Sequence, residues 1–520
     1  MNPELLKMLA VLAQNPAAIN QALSASSVEA LNAALTSSLA SQNAPIAKMD
    51  LIPEALKATM VQSGSATSGF TAYDLEAPGK LLYPVLTPLR NMIPRASGKG
   101  GIQAAWRAIT AINTTGIKPW VSEGNRGGVI AVTFQDYTAS YKGIGIESSA
   151  TFEAQYAGQT FDDLRKRASQ TGLQSLMIQE EYAILGGNNS LALGTTPTPS
   201  TSASTTGGTL STTQSIIAVA LTFDGYMSFS PNAPATNLVQ QTIRTNADGS
   251  SDTLNNGVGQ KSAAASQAVS GSTASITATF TGVRGAMGYA WFWGTAGSET
   301  LGAVTTAPKL VITAAAAGTQ LASTLVAADY SQVSQAFDGL LTQALKSTSN
   351  SYYADLGGNG LTADGRGGIV EIDAFLKNRW DLYRLNPEII WVSSREANTI
   401  TQAVLTGTST PAFRFNINAE QGMLAGGMMV ATYLNKYGMN GTTTVQIRQH
   451  PNMPAGTILA TQSTLPYDLA DVPNVIQIRT RQDYYMIEWP LRTRKWEYGV
   501  YADEVLQVYF PPALSVITGI

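Results

Sequence analysis

The sequence predicts an α+β protein that carries a separate all-β module within it. Three observations predict this. Apolar residues recur at helical spacing in two stretches before residue 190. Short β-type runs dominate from residue 215 to about residue 313. Between them the composition changes abruptly, in the linker-like run TPTPSTSASTTGG at residues 196–208. A chain of 520 residues is too long for one ordinary core, so roughly two to four compact units are expected, some of them discontinuous.

The elements follow in order. Residues 1–80 form an arm: Leu5, Leu6, Leu9 and Leu12, then Leu23, Val28, Leu31, Leu35 and Leu39, are spaced for short amphipathic helices. Pro78, Pro84, Pro88 and Pro94 make the following stretch extended. Residues 95–145 form a long hairpin, with β-type runs at 102–112 and 129–141 around the tip NTTGIKPWVSEGNRGG. A two-stranded hairpin has no core of its own, so a second subunit is the expected cover for its apolar positions, Trp106 and Trp120 among them.

Residues 146–206 and 321–385 form one domain around a spine helix at 159–187, with Asp162 and Asp163 in its first turn and the run of residues 186–189, GGNN, as its stop. Residues 207–320, with the runs SIIAVALTF, ASITATF, YAWFWGT and KLVIT, are spaced like a β-sandwich of about 100 residues, immunoglobulin-like in size. Residues 386–480 alternate short strands and helices, and residues 481–520 are strand-rich.

Charged residues make up 13% of the chain, about half the usual share, so much of the surface is neutral and suited to large self-contacts that desolvate few charges. There is no cysteine, which excludes disulfides and thiolate chemistry. The net charge of −3 excludes a strongly basic nucleic-acid binder. The apolar run Met8 to Ala13 is too short for a signal-peptide core, and no later stretch has the roughly 18 apolar residues of a membrane span. A soluble, unexported chain made in the cytoplasm is expected.

Nothing in the sequence anchors an enzyme. His450 is the single histidine, and its expected place is a loop before Pro451. Glu180 and Glu181 are adjacent on the spine helix and diverge by about 100°, so they cannot flank one substrate; a solvated or salt-bridged role is expected. No phosphate-binding loop, dinucleotide fingerprint or nucleophile elbow occurs. The Gly-rich loop at residues 355–368 is similar to a calcium loop, but Arg366 stands where the closing glutamate belongs. No cofactor or metal is expected. The basic clusters at residues 165–167 and 492–495 suit ion pairs between subunits or, as the alternative, loose contact with DNA phosphates.

The arm, the hairpin tip KPWVSEGNRGG, the return strand VIAVTFQDYTASYKGIGIESS and the spine FDDLRKRASQTGLQSLMIQEEYAILGGN together resemble the major capsid proteins of tailed double-stranded-DNA bacteriophages, the Hong Kong 97-type fold. PEIIWVSSREANTI, HPNMPAGTILATQSTLPY and WPLRTRKWEYGVYADEVLQVYFPPALSVI resemble that family's axial domain and the closing strands of its peripheral domain. The likeness covers residues 81–194 and 325–520.

The resemblance implies a virion protein, made in the host bacterial cytoplasm, that self-assembles as pentamers and hexamers into an icosahedral shell around packaged double-stranded DNA. It implies inter-subunit contacts at Trp120, Glu123 and Arg126, and at Arg165 and Arg167 in the basic cluster. It also implies a portal and scaffolding or decoration proteins as partners, non-specific contact with DNA, and an outward-facing inserted module. Two other readings are an encapsulin-like nanocompartment shell and a β-rich surface adhesin or glycan-binding protein, with YAWFWG as an aromatic platform, although the buried core is the expected place of at least two of its aromatics.

Overall fold

The computed structural model describes residues 80–520 apart from 113–117, 160, 229–236, 247, 407–429 and 439–442. The arm expected over residues 1–80 lies outside the described residues but for Lys80, as does the NTTGI part of the hairpin tip.

Among the described residues the strands form six sheets, four of which build the body and the inserted module. The first is four-stranded, in the order Arg95–Ser97, Ile476–Glu488, Lys495–Val508, Lys142–Thr151; the first pair is parallel and the others antiparallel. Its two central strands form one long hairpin. The spine helix, Leu164–Gly186, lies across Lys142–Thr151 and Lys495–Val508. Asp163 caps its start by accepting from the amides of Arg165 and Lys166. Gly172 lets the helix approach closely, since a Cβ there would stand 3.3 Å from Ser148 Oγ and 3.6 Å from Val500. The 23 residues span about 35 Å.

The second sheet has six strands, in the order Tyr352–Asp355, Ser515–Thr518, Ile458–Thr461, Ile389–Val392, Thr443–Gln449, Thr432–Asn435. The helix Val370–Tyr383 buries Ile372, Phe375 and Leu376 in a core with Ile390, Val392, Val445, Ile447 and Ile517. This sheet corrects two expected boundaries. Its edge takes in Tyr352–Asp355, and the last strand joins it rather than the four-stranded sheet. SVIT is buried at every position, so its apolar run holds no periodicity by which a sheet could be assigned.

The inserted module is two facing sheets: Lys309–Ile312, Ser275–Thr279, Ser200–Ser204, and Thr300–Thr305, Gly288–Gly294, Gln214–Leu221, Ala265–Gln267. Ile216, Ala218, Ile276, Tyr289, Trp291 and Trp293 fill the space between them. Ile217, Val219, Leu221 and Phe292 point the other way, under Leu238, Val258, Ala322 and Leu325. The strand QSIIAVAL is therefore covered on both faces, which is why its sequence is continuously apolar.

The stretch expected to be a linker is structured. Ser200–Ser204 pairs with Ser275–Thr279 at a sheet edge, and Thr196 Oγ1 accepts from the Ala220 amide at 2.8 Å. A polar edge strand needs no apolar alternation, so composition alone reads it as linker.

The module is also fused to the body. Phe223 packs where a Cβ on Gly186, the last residue of the spine helix, would lie 2.2 Å from its ring. Arg284 donates to the carbonyls of Leu345 at 2.6 Å and Lys346 at 3.0 Å. Within the body, Asp338 accepts from the amides of Asn189 and Ser190 just past the spine helix and pairs with Lys346 at 2.7 Å.

Candidate functional site

Gln103–Ile112 and Val132–Ser140 pair antiparallel as an isolated two-stranded ribbon, with a bulge between Ile109 and Ala111. Alternation sorts its side chains by face. On one face Trp106 lies opposite Tyr137, stacked at 5.8 Å, and meets the ring of Tyr509 at 5.7 Å, which seats the ribbon's root on the body. The other face carries the Arg107–Asp136 ion pair at 2.6 Å, then Ile109 opposite Phe134 and Ile112 opposite Val132. These four are 59, 58, 52 and 37% exposed in the order Ile109, Phe134, Ile112, Val132. Each aliphatic or aromatic side chain of this kind gains about 1.5–3 kcal/mol when fully buried, so the row is a cohesive apolar face without cover among the described residues.

The tip continues it. Trp120 is 85% exposed, Glu123 stands in the open within a turn closed by Ser122 and Asn125, and Arg126 stands in the open just after it. Among the described residues none of these three has a hydrogen-bond or ion-pair partner.

Arg165 and Arg167 behave differently. Arg165 donates to Tyr498 Oη at 2.7 Å, pairs with Glu488 at 3.0 Å and lies 4.6 Å over the Trp496 ring. Arg167 pairs with Asp162 at 2.6 Å. Both fasten the start of the spine helix inside this chain. Of the second basic cluster, Arg494 pairs with Glu153 at 2.8 Å and Lys495 with Glu497 at 2.5 Å.

Below the ribbon's root lies a set of buried charges whose burial the sequence did not reveal. Glu180 and Glu181 are both buried, and for Glu180 the salt-bridged of the two expected roles holds. Glu181 accepts from the amides of Leu89 at 2.9 Å and Arg90 at 2.7 Å, and its Oε1 lies 2.6 Å from His450 Nε2. Glu180 faces the other way, to Arg95 at 2.5 Å, Arg90 at 3.4 Å and the Tyr484 hydroxyl. His450 stands in a loop before Pro451, as expected, and is buried there. It is buried edge-on against Trp391, and its Nδ1 accepts from the Asn452 amide at 3.1 Å. The signal for this burial is spatial: 269 residues separate His450 from Glu181, so no local pattern contains the pair.

Two clefts, of about 520 and 600 Å³, have no carboxylate or imidazole in their linings. Among the described residues no three His, Asp or Glu side chains gather as a metal site. In the Gly-rich loop Asp355 accepts from the Gly357 amide, and Asp364 accepts from the amides of Arg366 and Gly368, so the two carboxylates serve their own turns. Tyr289, Trp291, Phe292 and Trp293 are all buried, as expected of at least two of them, which leaves YAWFWG no aromatic platform.

No protein-family model matches the sequence, and no curated protein matches it. Among solved structures, the class to which the chain is similar is that of capsid shells. The particular ones include Mycobacterium phage Bobi, at 10% identity and TM-score 0.39 over 89% of this chain and 99% of that one. The capsid of the native GTA particle is similar at 9% identity and TM-score 0.39, over 88% and 99%. The holo-SrpI encapsulin complex of Synechococcus elongatus PCC 7942 is similar at 7% identity and TM-score 0.37, over 86% and 92%.

Proposed function

We propose that this chain is a shell-forming structural protein, the major capsid protein of a tailed bacteriophage. The observation that carries the reading is the ribbon. It projects four large apolar side chains and a bare tryptophan from a two-stranded element that has no core to hold them. Such a face is completed by a neighbouring copy of the same chain, and a contact of this head-to-tail kind repeats around a ring. Trp120, Glu123 and Arg126 extend the same contact at its end. The immunoglobulin-like reading of the inserted module, pentamers and hexamers closed into an icosahedral shell, a place in the virion, and a portal, scaffolding or decoration proteins and packaged DNA as partners all belong to this proposal. The role is structural rather than catalytic.

The paired substitution Ile109→Ser with Phe134→Ser tests it. The variant should keep the wild-type circular dichroism spectrum and unfolding midpoint, since both residues are exposed in one chain, and should lose assembly by light scattering. A variant that assembles like the wild type contradicts the reading.

A further inference from the structure

Three carboxylates converge on one guanidinium at the ribbon's root. Arg95 meets Glu180 of the spine helix at 2.5 Å, Glu504 of the long hairpin at 2.7 Å and Asp483 of its other strand at 2.9 Å. Glu180 and Glu504 have no solvent exposure at all, whereas Asp483 is open. One cation compensates one of these charges. Arg90, 3.4 Å from Glu180 and 3.0 Å from the Tyr484 hydroxyl, compensates a second. The Tyr484 ring lies under both guanidinium groups, at 4.6 Å from Arg95 and 5.1 Å from Arg90.

One oxygen is left over. Glu504 Oε1 is buried without a partner. A carboxylate oxygen sealed from water and facing no donor strongly disfavours the charged form. Burial first, and the neighbouring Glu180 charge next, push the Glu504 carboxyl up to about 8 against the pull of Arg95.

The other charges nearby are engaged elsewhere. Lys142 stands opposite Glu504 in the strand register, but its Nζ donates to the Ser334 carbonyl at 2.5 Å. Asp503 pairs with Arg481 at 2.8 Å. Glu181 faces His450 and the amides of Leu89 and Arg90.

The clamped segment matters because of its position. Residues 87–97 hold the short helix Pro88–Met92 and the strand Arg95–Ser97, and they lead into the first strand of the ribbon. We propose that Arg90, Arg95, Glu180, Asp483, Tyr484 and Glu504 form a latch fixing this segment to the spine helix and the long hairpin, with its grip set by a proton on Glu504. The latch is a property of the single chain and stands whether or not the shell reading does.

The direction follows from linkage. Opening the latch admits water to the Glu504 carboxyl, which removes the largest cause of its rise, and withdraws Arg95, whose opposing pull is smaller, so the closed latch binds more protons than the open one between the lowered value of the open latch and about 8. Closure is strongest below that window, weakens as pH rises through it, and depends no further on Glu504 above it.

Hydrogen–deuterium exchange of the amides in residues 87–97, measured on the full chain from about pH 5 to pH 9 and corrected for intrinsic exchange, tests this. Protection in the wild type should fall by about tenfold or more across the window, and Glu504→Gln, which keeps the uncharged form, should hold a flat, protected profile. Parallel profiles in the two proteins overturn the proposal. Should Glu504→Gln fail to fold, infrared titration of the wild type decides: a protonated-carboxyl stretch present near pH 7 and gone near pH 9 is expected, and its absence near pH 7 overturns the latch.

Discussion

Glu181 and His450 stand 269 residues apart in the chain and meet at 2.6 Å, both closed to solvent. Because His450 Nδ1 accepts from the Asn452 amide, a neutral ring carries its hydrogen on Nε2, facing Glu181. The pair ties the spine helix to the loop that follows Thr443–Gln449 in the six-stranded sheet. His450→Ala removes the donor and leaves a buried carboxylate, so it should lower stability by about 3–5 kcal/mol in urea unfolding. His450→Gln, which can still donate, should recover part of that loss.

Phe223 marks how firmly the inserted module is joined to the body. Its ring occupies the space beside Gly186, and any side chain there would overlap it. Gly186→Ala should cost about 1–3 kcal/mol of stability, more than the same change at Gly172, where the nearest atom would be a serine hydroxyl at 3.3 Å. Equal effects at the two glycines would mean that the module yields freely.

Asp224 gives a second pH dependence, inside the module. Burial, with no compensating partner, pushes its carboxyl up to about 6 from an ordinary 3.8. The folded chain therefore binds more protons than the unfolded chain between those values, and stability should fall as pH rises from about 4 to about 6. Asp224→Asn should remove that slope, by an amount on the order of 2 kcal/mol, in urea midpoints taken across the range.

The residues implied as contacts divide into two groups with opposite expectations. Trp120 is 85% exposed among the described residues, so Trp120→Ala should leave unfolding within about 0.5 kcal/mol of wild type while weakening association. Arg165 holds Tyr498, Glu488 and the Trp496 ring. Arg165→Ala should therefore raise local exchange at the start of the spine helix in the unassembled chain.

Much of the architecture is legible in the sequence because it rests on local periodicity. The ribbon strands, the spine helix with its acidic start and glycine stop, and the apolar run of QSIIAVAL are each written within about 30 residues. What escaped reading depends on distant partners or on the lack of a pattern. Ser200–Ser204 is an edge strand made of serine, threonine and alanine, and it looks like linker. SVIT is buried on all sides and says nothing of which sheet it joins. Glu180, Glu181 and His450 are polar letters in the sequence, and only the fold brings them to Arg95 and to one another, away from water.

Negative-stain electron microscopy of the purified full chain, across a range of salt and concentration, tests the central claim most directly. Rings of five or six subunits, or closed shells, are predicted, because the apolar face of the ribbon is uncovered among the described residues and another copy is proposed to complete it. A uniform monomer under every condition would contradict it.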